Sequence, residues 1–233
     1  MFSVDYNGEN CLKFGIFPVR RPSIPAPERN VTETTIPGRD GAIIESDGSY
    51  KPITISVEFN FMDAPERVNE RYRKFKKWIM GTGNTGILKF SDDASVFYRV
   101  LYTKISGAER TSKRIGTFTA DFICDPYTYA ASGTQRISDY EKIYNPYSVS
   151  HPEFLIEGEG NCTLTVNGKT VTANVGQNLT INTDLMLAYR EDGELQNTAI
   201  SGDYSSLYLM EGENEISITD GFGLEVIPNW RCL

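Results

Sequence analysis

The chain has 233 residues, of which 39% are apolar and 12% aromatic. That is enough to bury the core of one large domain or two modest ones, and too hydrophobic for a disordered chain. The net charge of −8 is unevenly divided: residues 1–145 carry 20 Lys+Arg against 18 Asp+Glu, and residues 146–233 carry 3 against 13. The acidic second half disfavours nucleic acid and anionic membranes, and no apolar run reaches the roughly 18 residues of a membrane span.

In chain order, MFSVDYNGEN has no basic stretch followed by an apolar one. It does not read as a secretory signal, and synthesis in a cytoplasm is expected. Residues 18–41 hold Pro18, Pro22, Pro25, Pro27 and Pro37, which make continuous regular structure difficult and point to an extended arm or long loop. Gly38 and Gly41 flank Arg39-Asp40 and suit a tight turn. The two charges read either as interface partners or as turn-stabilising groups.

Residues 53–61, ITISVEFNF, alternate strictly between apolar and polar, which means a strand with one buried face. A helix is expected at about 64–80, with Asp63 as N-cap, Pro65 in the first turn and Glu66 completing a capping box. Val68, Tyr72, Phe75 and Ile79 form its apolar stripe and Gly81 its stop. Arg67, Arg71, Arg73, Lys74 and Lys77 lie off that stripe and read as a solvated face. Strands follow at 86–90, 95–105 and 116–124, the first two separated by the turn-like SDDA.

Pro126, Pro146 and Pro152 mark a connector. The domains are therefore read as 1–145 and 146–233. In the second, TLTVNGKTVTA (163–173) places Asn167-Gly168 between alternating flanks, the signature of a two-residue hairpin. Segments 178–182, 185–189, 206–210, 214–220 and 223–231 read as short strands of a β-sandwich. The fold class is mainly β: an N-terminal sheet or sandwich domain with one packed helix, then a C-terminal sandwich.

No catalytic, metal or cofactor constellation emerges. His151 is the single histidine, sits in the connector without a nucleophile motif, and reads as exposed. Cys11, Cys124, Cys162 and Cys232 are scattered without a C-x-x-C pair. They read as free buried thiols, with a Cys–Cys bridge left open. Asp92-Asp93 reads as a hairpin tip, and EGEGN (157–161) and EGEN (211–214) as turns, since neither has calcium-loop spacing. GTGNTG (81–86) lacks the Lys-Ser/Thr ending of a phosphate loop and reads as a helix stop and loop. Tyr189, Tyr204, Tyr208 and Trp230 are the candidates for stacking on sugars, although alternation sends several aromatics into the core. A carbohydrate-binding adhesin is thus one functional alternative, and a wall-degrading enzyme a weaker one.

The order of features resembles the distal tail proteins of long-tailed siphophages. It runs from PAPERN (25–30), IPGRDG (36–41), ITISVEFNF and ERVNERYRKFKKWI (66–79) to CDPY (124–127). It continues through LTVNGKTV (164–171), LMLAYREDGELQN (185–197), SGDYSSLYLMEGENEISI (201–218) and EVIPNWR (225–231). The resemblance implies a non-enzymatic structural subunit of the virion tail tip, from a phage or a prophage. It implies a ring-forming first domain and a galectin-like sandwich as the second. The implied partners are further copies of itself in a homo-hexamer or in stacked rings, the tail tube protein, the hub or tail-associated lysin, and a receptor-binding protein. DNA would pass through the channel without specific binding, no membrane is engaged, and no cofactor is required. Pro25, Pro27, Gly38, Arg39, Asp40 and Gly41 would then lie at a subunit interface or simply form a turn.

Overall fold

The computed structural model describes residues 1–81 and 86–233. The fold is mainly β and divides into two compact units, Met1–Thr128 with Leu233, and Tyr129–Cys232. The division falls ahead of the expected 145/146 because residues 129–145 are woven into the second unit. The Ala130 amide donates to the Trp230 carbonyl at 2.9 Å, and Ile137 exchanges backbone hydrogen bonds of 2.8 and 2.9 Å with Val226. Strand Lys142–Asn145 pairs with Gly212–Ile218.

In the first unit the alternating segment forms strand Ile53–Met62. Ile55, Val57 and Phe59 are fully buried, while Thr54 and Ser56 face solvent. Its antiparallel neighbour, Ile115–Ala130, sets Phe118 opposite Phe59, Ala120 opposite Val57 and Phe122 opposite Ile55, so both strands turn one apolar face inward. The sheet runs in the order Glu9–Asn10, Val4–Tyr6, Gly86–Phe90, Asp93–Ile105, Ile115–Ala130, Ile53–Met62, Ile16–Pro18. Asp93 belongs to a strand, so the turn is tighter than SDDA suggests. Pro126 does not end its strand.

One helix covers the apolar face. It spans Val68–Met80 and buries Val68, Phe75, Trp78 and Ile79, with Tyr72 half-buried. Phe118 is the joint: its ring meets Phe59 at 5.4 Å, Phe75 at 5.8 Å, Tyr72 at 5.9 Å and Phe61 at 6.1 Å. Trp78 stacks on Phe14 at 4.8 Å and meets Tyr6 edge-on at 6.3 Å. Each such ring, fully buried, contributes about 2–3 kcal/mol. At the C-terminal end the Thr103 hydroxyl donates to the Ile79 carbonyl at 2.9 Å, satisfying one carbonyl that the helix leaves open. Gly81 stands at the C-cap, with φ −88°. The rest of GTGNTG, at 82–85, lies outside the described residues.

The helix begins later than expected, and Asp63 does not cap it. The residue before the helix is Arg67, with no side-chain cap hydrogen bond. Asp63 instead accepts from the Ala64 amide at 2.8 Å, pairs with Arg71 at 2.6 Å and approaches Arg67 at 3.2 Å. The paired arginine side chains outcompete the distant helix amides for the carboxylate. The Arg71 hydrogen bond holds the Asp63 carboxyl below its usual range, with help from the Ala64 amide.

The second unit is organised around one long hairpin. Strands Glu153–Val166 and Lys169–Asn182 pair along their full length, and Asn167 and Gly168 take φ of 51° and 78°, as a two-residue hairpin turn requires. Segment 178–182 is the end of the second strand, not a separate one. Strand Glu153–Val166 pairs with Gly223–Ile227 before Gly158 and with Gly212–Ile218 after Gly160. The segment read as the turn EGEGN is therefore where a continuous strand curls. Gly158 and Gly160 there adopt φ of 149° and 106°, which residues with a Cβ resist. Residues 206–210 are not a strand: Tyr204–Leu207 form a short 3-10 turn that sends Leu207 and Leu209 into the core. Asn214, fully buried, accepts from the Met210 amide and the Asn167 side chain, both at 2.8 Å, and donates to the Met210 carbonyl at 2.8 Å.

Among the described residues no helix is long and apolar enough to cross a membrane.

Two outcomes follow for the first unit. Phe118→Ala should cost about 3–5 kcal/mol, read as a lowered midpoint in denaturant. Asp63 has a depressed folded-state pKa, so its stabilisation is present above its unfolded value of about 3.9 and is lost as pH falls through the folded value. Asp63→Asn should therefore flatten the acid limb of the stability–pH curve below about pH 4, measured by unfolding at stepped pH.

Candidate functional site

Two features stand apart from the cores: an exposed arm in the first unit and a polar cluster around His151 in the second.

The Pro-rich segment leads into a hairpin. The Arg21 side chain donates to Asp92 at 2.5 Å, and its guanidinium lies 5.3 Å from the Phe2 ring centre. Pro25 is exposed and Pro27 half-buried. Strands Arg29–Thr35 and Ala42–Tyr50 then pair with each other and, among the described residues, with no other strand. The base is fastened: the Lys51 amide donates to the Glu28 carbonyl at 2.7 Å, and Tyr50 packs edge-on against Tyr127 at 6.3 Å. At the tip the Arg39 amide donates to the Ile36 carbonyl at 3.1 Å, and Gly38 and Gly41 take φ of 80° and 82°. Gly38, Arg39, Asp40 and Gly41 are thus brought together as an exposed turn. Arg39 and Asp40 make no ion pair among the described residues.

The body of this hairpin carries apolar residues that sequence reading passed over. Val31 is 50% exposed and Ile44 67% exposed. Register sets Val31 opposite Ser46 and Glu33 opposite Ile44, so Val31 and Ile44 share a face. Ile43, opposite Thr34, is exposed on the other face. The polar residues of NVTETT hide the signal, because alternation reveals a strand only when one face is uniformly apolar.

His151 is half-buried, not exposed as expected. Its ring stacks on Tyr208 at 3.9 Å and 17°. Nδ1 lies 2.9 Å from Asp184 Oδ1, and Nε2 lies 2.7 Å from a terminal nitrogen of Arg231. Arg231 is 7% exposed and also donates from Nε to the Val149 carbonyl at 2.8 Å. A guanidinium can only donate, so Nε2 accepts and the Nδ1–H donates to Asp184. Both ring nitrogens are engaged in holding the chain together.

The four sugar-stacking candidates are not brought together. Trp230 is buried in the second core, Tyr204 packs against that core, and Tyr208 is covered by His151. Tyr189 lines an open groove with Arg136, Glu153 and Asn178, and burial pushes its phenol pKa up, with the nearby Glu153 charge adding to the shift. All four cysteines are free, three of them buried. Burial, reinforced by the Asp125 charge, pushes the Cys124 thiol up to about 12, away from thiolate chemistry. Asp92 serves as the partner of Arg21. No group of three candidate metal ligands is found among the described residues.

Residues 9–124 match the family model of the phage tail protein RIFT-related domain. The first unit belongs to that phage tail family. Over its whole length the chain also shares the fold of solved tail proteins. The Dit protein (gp 19.1) of phage SPP1, described as a paradigm of the hub adsorption apparatus in phages infecting Gram-positive bacteria, aligns at TM-score 0.70 with 15% identity, covering 100% of both chains. A chain of the phage P2 baseplate in its activated conformation with Ca aligns at 0.54 with 10% identity, covering 100% of this chain and 98% of that one. A chain of the p2 baseplate activated with Sr aligns at 0.51 with 11% identity, covering 97% of each. No curated protein matches. The siphophage distal tail resemblance read from the sequence is thus the one that family model and fold both give.

The His151 cluster should respond to substitution as a structural element. His151→Phe keeps an aromatic ring over Tyr208 but removes both side-chain hydrogen bonds, leaving Arg231 short of an acceptor. The expected cost is about 1–3 kcal/mol, seen as a lowered melting temperature of the second unit by calorimetry.

Proposed function

We propose that this chain is a structural subunit of a phage tail tip, assembling through its first unit into a ring, hexameric as the family resemblance implies. The observation that carries the reading is the hairpin at 29–50 within a phage tail domain. A two-stranded ribbon is marginal in water, and this one presents Val31, Ile43 and Ile44 to solvent with unpaired strand edges. Such surfaces call for a partner. A second copy of the chain is the partner that a repeating tail structure supplies, and head-to-tail contacts of this kind close into rings.

In this reading Pro25 and Pro27 stiffen the approach to the hairpin, and Gly38, Arg39, Asp40 and Gly41 are the tip that reaches the neighbour. The ring joins the tail tube protein to the hub or tail-associated lysin, with receptor-binding proteins docked from outside. The protein is made in the bacterial host and ends at the virion tail tip. The near balance of charge in residues 1–145 suits a channel through which DNA passes without adhering. The chemistry is association, not turnover, a reading supported by the engagement of both His151 ring nitrogens.

Light scattering on the purified chain should give a mass near six or twelve times the 26.1 kDa of one chain. The double substitution Val31→Asp with Ile44→Asp should shift that mass to the monomer while leaving the melting temperature of each unit within a few degrees. Removal of two apolar anchors is worth about 2 kcal/mol or more per interface. A wild-type chain that stays monomeric at high concentration, or a variant that still assembles, would overturn the reading.

A further inference from the structure

A different surface, in the second unit, has the makings of a small-ligand site. Strand pairing sets Tyr189 opposite Thr180, Thr180 opposite Leu155, and Leu155 opposite Glu225. These residues form one row across four strands. The alternate residues, Phe154, Ile156, Ile181 and Val226, are buried in the core, so the row lies on the outer face. It is hollowed into a groove of about 290 Å³.

We propose that this groove binds a neutral mono- or disaccharide. A pyranose presents an apolar C–H face and a rim of hydroxyls, and the groove is divided in the same way. Its floor is Leu155 and Ile227, half-buried and apolar, beside the half-buried ring of Tyr189. Its rim holds the Glu157 carboxylate, the Asn178 side chain and the Arg136 guanidinium.

Two of the rim groups are already set in place. Asn178 Oδ1 accepts from the Glu191 amide at 2.9 Å, which aims its NH₂ away and leaves it to donate. Arg136 is held by Glu225 at 3.0 Å, and Ser138 donates to the same carboxylate at 3.4 Å. Groups fixed before binding lose little freedom on contact. Glu157 has no partner among the described residues and is left to accept from hydroxyls.

Charge and size narrow the ligand. Residues 129–232 hold 5 Lys+Arg against 15 Asp+Glu, and Glu153, Glu157 and Glu191 all line the groove. Phosphorylated or uronic sugars would be repelled. The volume sits near the lower end of small-molecule clefts, about 300 Å³, whereas a protein partner needs about 800 Å² on each side.

This inference does not rest on the ring reading, and the two are tested separately. The full-length chain is probed by saturation-transfer difference NMR with glucose, galactose, rhamnose, N-acetylglucosamine and N,N′-diacetylchitobiose, with glucuronate and glycerol phosphate as anionic controls. Saturable transfer to at least one neutral sugar is expected, with Kd of about 1 mM and none to the anions. Tyr189→Ala and Asn178→Ala should each weaken binding by about tenfold or more, while Tyr189→Phe retains it. Light scattering of the same samples should show assembly unchanged in all three variants. Should Tyr189→Ala unfold the unit, Asn178→Ala and Glu157→Gln carry the test alone. No saturable transfer to any neutral sugar, transfer only to the anions, or full binding by folded groove variants would each overturn the proposal.

Discussion

The ring of Phe118 is the contact on which the first unit turns. It lies among Phe59 and Phe61 of the neighbouring strand and Tyr72 and Phe75 of the helix, so a single residue couples sheet and helix. One helix of 13 residues is a small lid for a sheet of this size. It suffices because its inward stripe includes the aromatic rings of Tyr72, Phe75 and Trp78, and aromatic side chains bury the most area per residue. Concentrating the packing there leaves residues 20–50 with no share in the core, and a segment without core duties can serve as an arm.

That division of labour explains why the arm looks as it does. Its base is pinned by Glu28, Lys51 and the Tyr50–Tyr127 contact, which fix where it leaves the domain. Its tip turns on two glycines in left-handed conformation. Between them the ribbon keeps β-branched residues on both faces and charged residues interspersed. For the assembly proposed above such a surface is suitable: apolar enough to dock, polar enough not to aggregate indiscriminately. The second unit follows a different plan, a long hairpin curled at two glycines around its own core, with its acidic outer faces left to solvent.

Much of this was legible in the chain. ITISVEFNF announced a one-sided strand because every second residue is apolar. Asn167-Gly168 announced its hairpin because few dipeptides tolerate two consecutive positive φ values. Val68, Phe75 and Ile79 announced the helix face. Elsewhere local signals were overruled by distant partners. Asp63 has the chemistry of a cap, but Arg71 claims it. EGEGN has the composition of a turn, yet its glycines curl a strand that pairs on both sides. SLYLM has strand composition but becomes a 3-10 turn delivering Leu207 and Leu209 inward. His151 looked like linker because its partners, Asp184 and Arg231, are remote in sequence. Of the sugar candidates, composition could not separate Tyr189, placed at an open groove, from Trp230, committed to the core.

The Asn167-Gly168 turn bears on the chemical ageing of the chain. Asparagine followed by glycine is the pair most prone to cyclise to a succinimide and deamidate, because glycine does not shield its own amide nitrogen. Here the Asn167 side chain donates to Asn214 at 2.8 Å and accepts from the Glu215 amide at 3.0 Å. The carboxamide is tied back towards strand Gly212–Ile218, and cyclisation would have to break both bonds first. A buried asparagine thus guards an exposed one, giving chemical durability to a tight turn.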